Sequence, residues 1–169
     1  MPVNSNRPMP KPVAQGMSEP PSPLSPVALR SRALAFLSRR EHTRQELREK
    51  LTDLGGSVEE IAAILDELAE RNWQSDNRFA EAYVRQESRK GHGPLNIRQS
   101  LKQRGVDEEL IANVLMTEDW LEWARLTRQR KFGEEPPTDR KEQARQLRFL
   151  QYRGFTSDQC RKALRNVED

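Results

Sequence analysis

Residues 76–105 have the sequence DNRFAEAYVRQESRKGHGPLNIRQSLKQRG, which predicts two short helices joined by a glycine-rich turn at 91–94. Apolar side chains recur at helical spacing on one face of the first helix: Phe79, Ala80, Tyr83 and Val84. At about 100° per residue, three arginines fall within about 40° of one another on the opposite face: Arg78, Arg85 and Arg89. Neither helix buries its apolar face alone, so the stretch predicts one unit of a packed helical array.

The segments on either side of 76–105 repeat its plan at a period near fifty residues. A shift of fifty aligns Gly55 with Gly105, and a further shift of forty-nine aligns Gly105 with Gly154. The same shifts align the apolar positions after each glycine, such as Ile61, Ile111 and Cys160. A fixed period over three copies is typical of repeat arrays in which each unit stacks on its neighbours.

Each copy predicts three short helices. Capping boxes, in which a hydroxyl residue precedes Glu or Gln by three positions, mark helix starts at Thr43 with Glu46, Ser57 with Glu60 and Thr156 with Gln159. No stretch shows the sustained alternation of a strand. The sequence therefore predicts an all-α fold of three tandem three-helix units, over residues 28–74, 75–117 and 118–169.

Residues 1–27 differ from the rest in composition and contain eight of the eleven prolines. This segment has few large apolar side chains, so burying them would not offset the entropy lost when its backbone is ordered. We therefore expect a disordered tail. No apolar run matches a secretory signal or a membrane span, and the single cysteine excludes an internal disulfide. These features predict a soluble, cytoplasmic protein that does not contact membranes.

The net charge of +3 conceals a segregation of basic and acidic segments. Basic residues cluster at 39–50 and acidic residues at 59–70. Alternation of this kind suits a protein that contacts nucleic acid on one side and a protein surface on another. Solvated helix faces explain the charges equally well.

Catalytic and metal-binding patterns are missing from the sequence. It has no Gly-x-x-x-x-Gly-Lys run, no Gly-x-Ser-x-Gly elbow and no His-Glu-x-x-His pair. Two histidines and a lone cysteine do not make an ordinary zinc site. Cys160 takes an apolar position of the repeat, so we expect it to be buried and unreactive. We therefore predict a protein that is not an enzyme and uses no cofactor or metal.

Basic side chains on the first and second helices of the units are the candidate binding residues. Repeated at unit spacing, they could follow a phosphate backbone. For any single arginine, solvation of an exposed helix face is an equally good explanation. The candidate set is Arg44, Arg48, Arg78, Arg85, Arg89, Lys90, Arg98, Lys102, Arg104, Arg145 and Arg148.

Several motifs in order resemble the RecX regulatory family. They are RQELREKL at 44–51, DNRFAEAYV at 76–84, RKGHGP at 89–94, IRQSLKQRGVD at 97–107, RFL at 148–150 and RGF at 153–155. The resemblance covers about residues 28 to 167. It implies that the three-helix units form an elongated, curved array.

The resemblance also implies a function. RecX proteins bind the RecA recombinase, chiefly as its filament on single-stranded DNA, and restrain its ATPase, strand-exchange and co-protease activities. We therefore expect a monomeric regulator of homologous recombination and the SOS response that also binds double-stranded DNA, with weak sequence selectivity at most. Two alternatives remain open: a stand-alone DNA-binding module of helix-turn-helix type, and a repeat scaffold for other proteins.

Overall fold

A computed structural model describes residues 22–165, and every regular element in that range is an α-helix. The helices are α1 Pro26–Arg39, α2 Arg44–Asp53, α3 Val58–Glu70, α4 Asp76–Arg89, α5 Pro94–Gln103, α6 Glu108–Leu115, α7 Trp120–Phe132, α8 Arg140–Tyr152 and α9 Ser157–Ala163. They form three consecutive groups: unit 1 (α1–α3), unit 2 (α4–α6) and unit 3 (α7–α9). The predicted all-α fold of three-helix units is confirmed.

Most of the predicted tail, residues 1–21, lies outside the described residues. Its last two residues, Pro26 and Val27, form the first turn of α1, and Ser25 caps that helix through its side chain. Proline is favoured there because the first turn leaves its backbone N–H groups without helical partners. None of the helices within 22–165 has the length and apolar composition needed to cross a bilayer.

The predicted capping boxes form at all three positions. Thr43, Ser57 and Thr156 each accept a hydrogen bond from the backbone three residues later, and the Glu or Gln there bonds back. Such caps stabilise a helix by about 1 kcal/mol each. The helix α5 differs, since its N-cap is Gly93 and has no side chain to accept a bond.

Each unit buries its own small core at equivalent repeat positions. Leu51, Leu101 and Leu150 are fully buried, and further buried apolar residues surround each of them. Cys160 is buried in the core of unit 3, and burial raises the pKa of its thiol to about 11. The predicted apolar role of Cys160 is confirmed. Trp120 packs against the cores of both unit 2 and unit 3.

The joint between units 1 and 2 is made by the two second helices, α2 and α5. The Thr43 hydroxyl donates to the carbonyl of Arg104 at 2.8 Å, and the Gln45 amide donates to the carbonyl of Gln103 at 3.3 Å. The carbonyls in the last turn of a helix have no partner within it. Here the N-terminal end of α2 supplies donors for the C-terminal end of α5.

The joint between units 2 and 3 repeats this arrangement with α5 and α8. The backbone N–H of Gly93 donates to the carbonyl of Arg153 at 2.7 Å, and that of Leu95 donates to Gly154 at 2.9 Å. The Asn96 amide adds a bond of 3.0 Å to the carbonyl of Tyr152. The second helices of the three units therefore meet N-terminus to C-terminus, an orientation in which their dipoles attract.

The aligned glycines at these ends allow the close approach. Gly55, Gly105 and Gly154 have φ values of 88°, 80° and 97°, a region that side chains with a Cβ rarely adopt. A Cβ on Gly105 would meet Gln45, and one on Gly154 would meet Asn96. At Gly55 the neighbour is Pro23, so the residues before α1 take the place that a preceding unit takes at the joints.

Replacing Gly93 by alanine should open the second joint. The φ of Gly93 is −88°, which alanine adopts without strain, but its Cβ would lie 2.4 Å from the carbonyl carbon of Gly154 and the nitrogen of Phe155. Relieving this clash requires a shift of the backbone and not of a flexible side chain. We therefore expect Gly93→Ala to lower the free energy of unfolding by about 3 kcal/mol. Urea unfolding followed by circular dichroism measures it.

Gly133→Ala is the matched control. Gly133 has a φ of 89° and a ψ of 176°, a region that is nearly restricted to glycine, but nothing lies within 4 Å of an added Cβ, so only backbone strain of about 1 to 3 kcal/mol applies. Gly133→Ala should leave the second joint closed, whereas a loss below about 1 kcal/mol for Gly93→Ala would contradict the close packing at the joint.

Candidate nucleic-acid interface

Four of the candidate residues are exposed and form no ion pair within residues 22–165: Arg48, Arg85, Arg89 and Arg148. They come from all three units, through α2, α4 and α8. Arg85 and Arg89 are one turn apart on α4, so they share a helix face. Without a carboxylate neighbour, these guanidinium groups keep their donors available for an external anion.

Arg98 and Lys102 share one carboxylate on the next helix. Their nitrogens lie 3.4 and 3.1 Å from Oε1 of Glu108. The hydrogen bond and charge of Lys102, followed by those of Arg98, hold the pKa of Glu108 below its ordinary value. All three side chains are exposed, and exposed pairs of this kind contribute little to stability. A phosphate could therefore replace Glu108 as their partner.

Arg78 is occupied within the protein. Its guanidinium pairs with the carboxylate of Glu41, and it also donates to the carbonyls of Asn72 and Trp73, at 3.0 and 3.1 Å. These contacts tie the loop before α2 and the turn after α3 to the start of α4. Arg78 thus lies at the joint of units 1 and 2 with a structural task.

Two further candidates are also paired near this joint. Arg44 lies 2.6 Å from Asp66. Arg104 lies 3.4 Å from Glu46, and its guanidinium is 5.0 Å from the ring centroid of Tyr83. Arg104 is therefore held on an aromatic face, in a cation–π contact, with a carboxylate beside it.

The last two candidates pair within their own segments. Arg145 lies 3.2 Å from Glu142, one turn earlier on α8, and 5.2 Å from the ring centroid of Phe132. Lys90 lies 2.9 Å from Glu87, at the end of α4. The candidate cations thus come from all three units, and most of them are paired with carboxylates of the chain.

Glu87 anchors the turn at 91–94. Its carboxylate contacts Lys90 on one oxygen and Nδ1 of His92 on the other, at 2.9 and 2.5 Å. Partial burial raises the pKa of Glu87, but the hydrogen bonds with Lys90 and His92 outweigh it and hold that pKa below its ordinary value of 4.5. The turn leads into Gly93, so this network also supports the second joint.

Three cations that the sequence analysis did not select lie beside Lys90. Arg130, Lys131 and Arg153 line a cavity with it, and none of the three forms an ion pair within 22–165. The sequence repeat could have identified Arg153, because the shift of forty-nine aligns it with Arg104, which is in the candidate set. The other two, Arg130 and Lys131, lie in the last turn of α7, where basic residues are also expected from the helix dipole alone.

The three units match three consecutive family models. They are described as the first, second and third three-helix domains of RecX, and they match residues 30–68, 75–115 and 117–164. The chain belongs to the RecX family. The resemblance drawn from the motifs is confirmed, and the chain is a regulatory protein of the RecX type.

Curated relatives resemble the chain over most of its length. The regulatory protein RecX of Halorhodospira halophila is 47% identical over 138 residues, which are 80% of this chain and 86% of the relative. That of Neisseria meningitidis is 46% identical over 142 residues, covering 84% and 92%. That of Acinetobacter baylyi is 42% identical over 146 residues, covering 86% and 92%.

Solved RecX structures share the fold. The crystal structure of RecX from Lactobacillus salivarius superposes with a TM-score of 0.73 at 23% identity, covering 82% of this chain and 93% of that one. A crystal structure of a regulatory protein RecX gives 0.67 at 29% identity, covering 79% and 70%. The contacts of the candidate basic residues with DNA or RecA remain predictions.

The contribution of Glu87 to stability should decrease in acid. Because its pKa is lower in the folded chain than in the unfolded one, its stabilisation is complete above pH 4.5 and is lost as the pH falls through the folded value. Near pH 7 we expect Glu87→Gln to cost about 1 to 2 kcal/mol, since it removes a charged hydrogen-bond partner. Thermal unfolding between pH 7 and pH 3 measures it, and the gap between wild type and variant should shrink towards pH 3.

Glu134→Gln serves as the control, because Glu134 is exposed in the loop after α7 and its side chain forms no ion pair within the described part of the chain. A gap for Glu87→Gln that stays constant with pH would show that the charge of Glu87 does not support the turn.

Proposed function

We propose that this RecX-family protein binds the RecA filament on single-stranded DNA in the cytoplasm and restrains the ATPase, strand-exchange and co-protease activities of RecA. The observation that carries the proposal is the match of all three units, in order, to the domains of a family of regulatory proteins. In this proposal the chain acts as a monomer and performs no catalysis of its own.

The arrangement of cations supports contact with a nucleoprotein filament. Each unit contributes at least one exposed arginine without an ion pair in the described range, namely Arg48, Arg85, Arg89 and Arg148. Because the units are joined through their second helices, these arginines are held on one continuous array. A polyanion that runs past several units gains one contact after another, which a compact domain of this size does not offer.

The acidic third helix of unit 1 supports a second kind of contact. Glu59, Glu60 and Glu70 of α3 pair with no cation within 22–165, and Glu59 and Glu70 are exposed. Carboxylates repel a phosphate backbone, so we assign this helix to protein or solvent and not to DNA. Basic and acidic faces on one array fit a ligand that presents both DNA and protein.

Removal of the unpaired arginines should weaken inhibition of RecA. We expect a variant with Arg48, Arg85, Arg89 and Arg148 all replaced by glutamine to need at least about tenfold more protein for half-inhibition of DNA-dependent RecA ATPase. Charge reversal of Arg85, Arg89, Arg98 and Lys102 together should abolish that inhibition. Circular dichroism should show unchanged helicity, because all these side chains are exposed.

The matched control replaces four other exposed arginines without ion pairs in the described range: Arg32, Arg39, Arg140 and Arg161. It loses the same charge, so equal loss of inhibition in both variants would sink the assignment of the basic residues. Unchanged inhibition by the first variant would do the same.

Salt dependence should report the number of DNA contacts. With about four to six contacts to single-stranded DNA, the logarithm of the binding constant should fall with the logarithm of salt at a slope near −3 to −4. Fluorescence anisotropy of a labelled oligothymidine measures it. Sequence-selective duplex binding without any RecA would instead favour the helix-turn-helix alternative.

A further inference from the structure

The joint of units 2 and 3 carries a solvent-open cavity of about 200 Å³ whose charged lining is entirely basic. Lys90 comes from the end of α4, Arg130 and Lys131 come from the last turn of α7, and Arg153 follows α8. Gly91, Thr127 and Phe149 complete the lining, and no lining residue is acidic. We call these four cations the joint cluster. Two units and three helices are needed to assemble it.

The two arginines of the joint cluster are fixed in place by backbone carbonyls. Arg130 donates from Nη1 to the carbonyl of Arg89 at 3.0 Å, and Arg153 donates from Nη1 to the carbonyl of Lys90 at 3.5 Å. The guanidinium of Arg153 also lies 5.3 Å from the ring centroid of Phe149. Each guanidinium carries five N–H donors, so these contacts leave most of them for a ligand.

Compensation of helix dipoles explains only part of the joint cluster. The C-terminal ends of α4 and α7 each carry about half a negative charge. Lys90 is balanced by Glu87, but Arg130, Lys131 and Arg153 have no carboxylate partner within the described residues. About two positive charges therefore remain uncompensated at one cavity, which fits an anionic ligand.

The first joint shows what the second one lacks. There Arg104, the repeat equivalent of Arg153, pairs with Glu46. The shift of fifty places Asn96 at the position equivalent to Glu46, so the corresponding carboxylate is replaced by a neutral amide. Asn96 instead bonds to the carbonyl of Tyr152. The carboxylate of Glu46 is thus a counterion at the first joint, and the second joint has no carboxylate at the equivalent position, Asn96.

The donors favour a phosphate over a base. Planar guanidinium groups match the oxygens of a phosphate, and their bonds with it are charge-assisted. The only aromatic ring in the lining, Phe149, is engaged by Arg153 and packs edge-on against Phe132 with centroids 5.2 Å apart. The guanidinium of Arg153 therefore already occupies one face of this ring, which disfavours base stacking there.

We propose that the joint cluster binds a backbone phosphate of single-stranded DNA and that the bound phosphate holds unit 3 against unit 2. The proposal rests on the proposed function, since it assigns one DNA contact of the regulator to a particular place. The phosphate neutralises cations that face one another across the joint. DNA binding and the relative position of the last two units are thereby coupled.

The test compares two full-length variants that lose the same charge. The first carries Arg130→Gln, Lys131→Gln and Arg153→Gln, where glutamine retains a donor for the backbone carbonyls. The control carries Arg39→Gln, Lys141→Gln and Arg161→Gln, which are exposed cations outside the cavity and without ion pairs in the described range. The affinity for labelled oligothymidine is measured by anisotropy over a salt series.

We expect the joint variant to bind oligothymidine at least about tenfold more weakly near 0.1 M salt, and its log–log salt slope to be shallower by about 0.7, the value for the one phosphate that the joint cluster binds. The control should keep the slope of the wild type. A joint variant that matches either the wild type or the control overturns the phosphate site. Failure of the wild type to bind oligothymidine overturns the DNA contact of the proposed function as well, so the two failures are distinguishable.

Two further measurements separate loss of the phosphate site from loss of folding, and binding of DNA from binding of free phosphate. The side chain of Lys131 makes no hydrogen bond or ion pair within 22–165, so Lys131→Gln alone should leave the fold intact and weaken the binding of oligothymidine by a smaller factor than the triple variant does. The amide resonance of Gly91 should shift on adding oligothymidine and saturate near the Kd from anisotropy. No shift, or saturation by inorganic phosphate at a lower concentration than by oligothymidine, overturns the DNA assignment.

Discussion

The carbonyl groups at the C-terminal ends of α5 and α8 need hydrogen-bond donors, and in each case the second helix of the preceding unit supplies them. A buried carbonyl left without a partner costs about 1 to 3 kcal/mol. The core of each unit is small, so the hydrogen bonds at the joints contribute to the stability of the whole array. Because the donors come from the N-terminal end of a helix, the units must stack in one direction, and every exposed cation takes its position from that stacking.

The two joints share their hydrogen bonds but differ in charge. At the first, Glu41 pairs with Arg78, and Glu46 is shared by Arg104 and Arg40, so carboxylates offset most of the positive charge. At the second, Asn96 stands where the repeat has Glu46, and Arg153 meets no carboxylate in the described residues. One repeat framework therefore yields a structural joint and a joint with anion-binding capacity. This difference explains why the proposed phosphate site is found at only one of the two joints.

Local features of the fold were accessible from the sequence because they depend on neighbours within a few residues. The capping boxes at Thr43, Ser57 and Thr156 form as predicted, and the aligned glycines adopt the positive φ that ends each second helix. The apolar period likewise identified Cys160 as a core residue. Hydrogen bonds over three or four residues and the 3.6-residue period are encoded locally, so pattern alone is sufficient.

The sequence by itself determined the three-helix repeat, the family and the list of basic residues. Only the tertiary structure decided which of those basic residues are paired with carboxylates of the same chain. Arg78 looked equivalent to Arg85 and Arg89 on its helix, yet Glu41, thirty-seven residues earlier, neutralises it. Lys90 gained its neighbours Arg130 and Arg153 from forty to sixty-three residues away. Electrostatic partners are chosen by distance in space, and that distance is set by the joints between units, which no local pattern records.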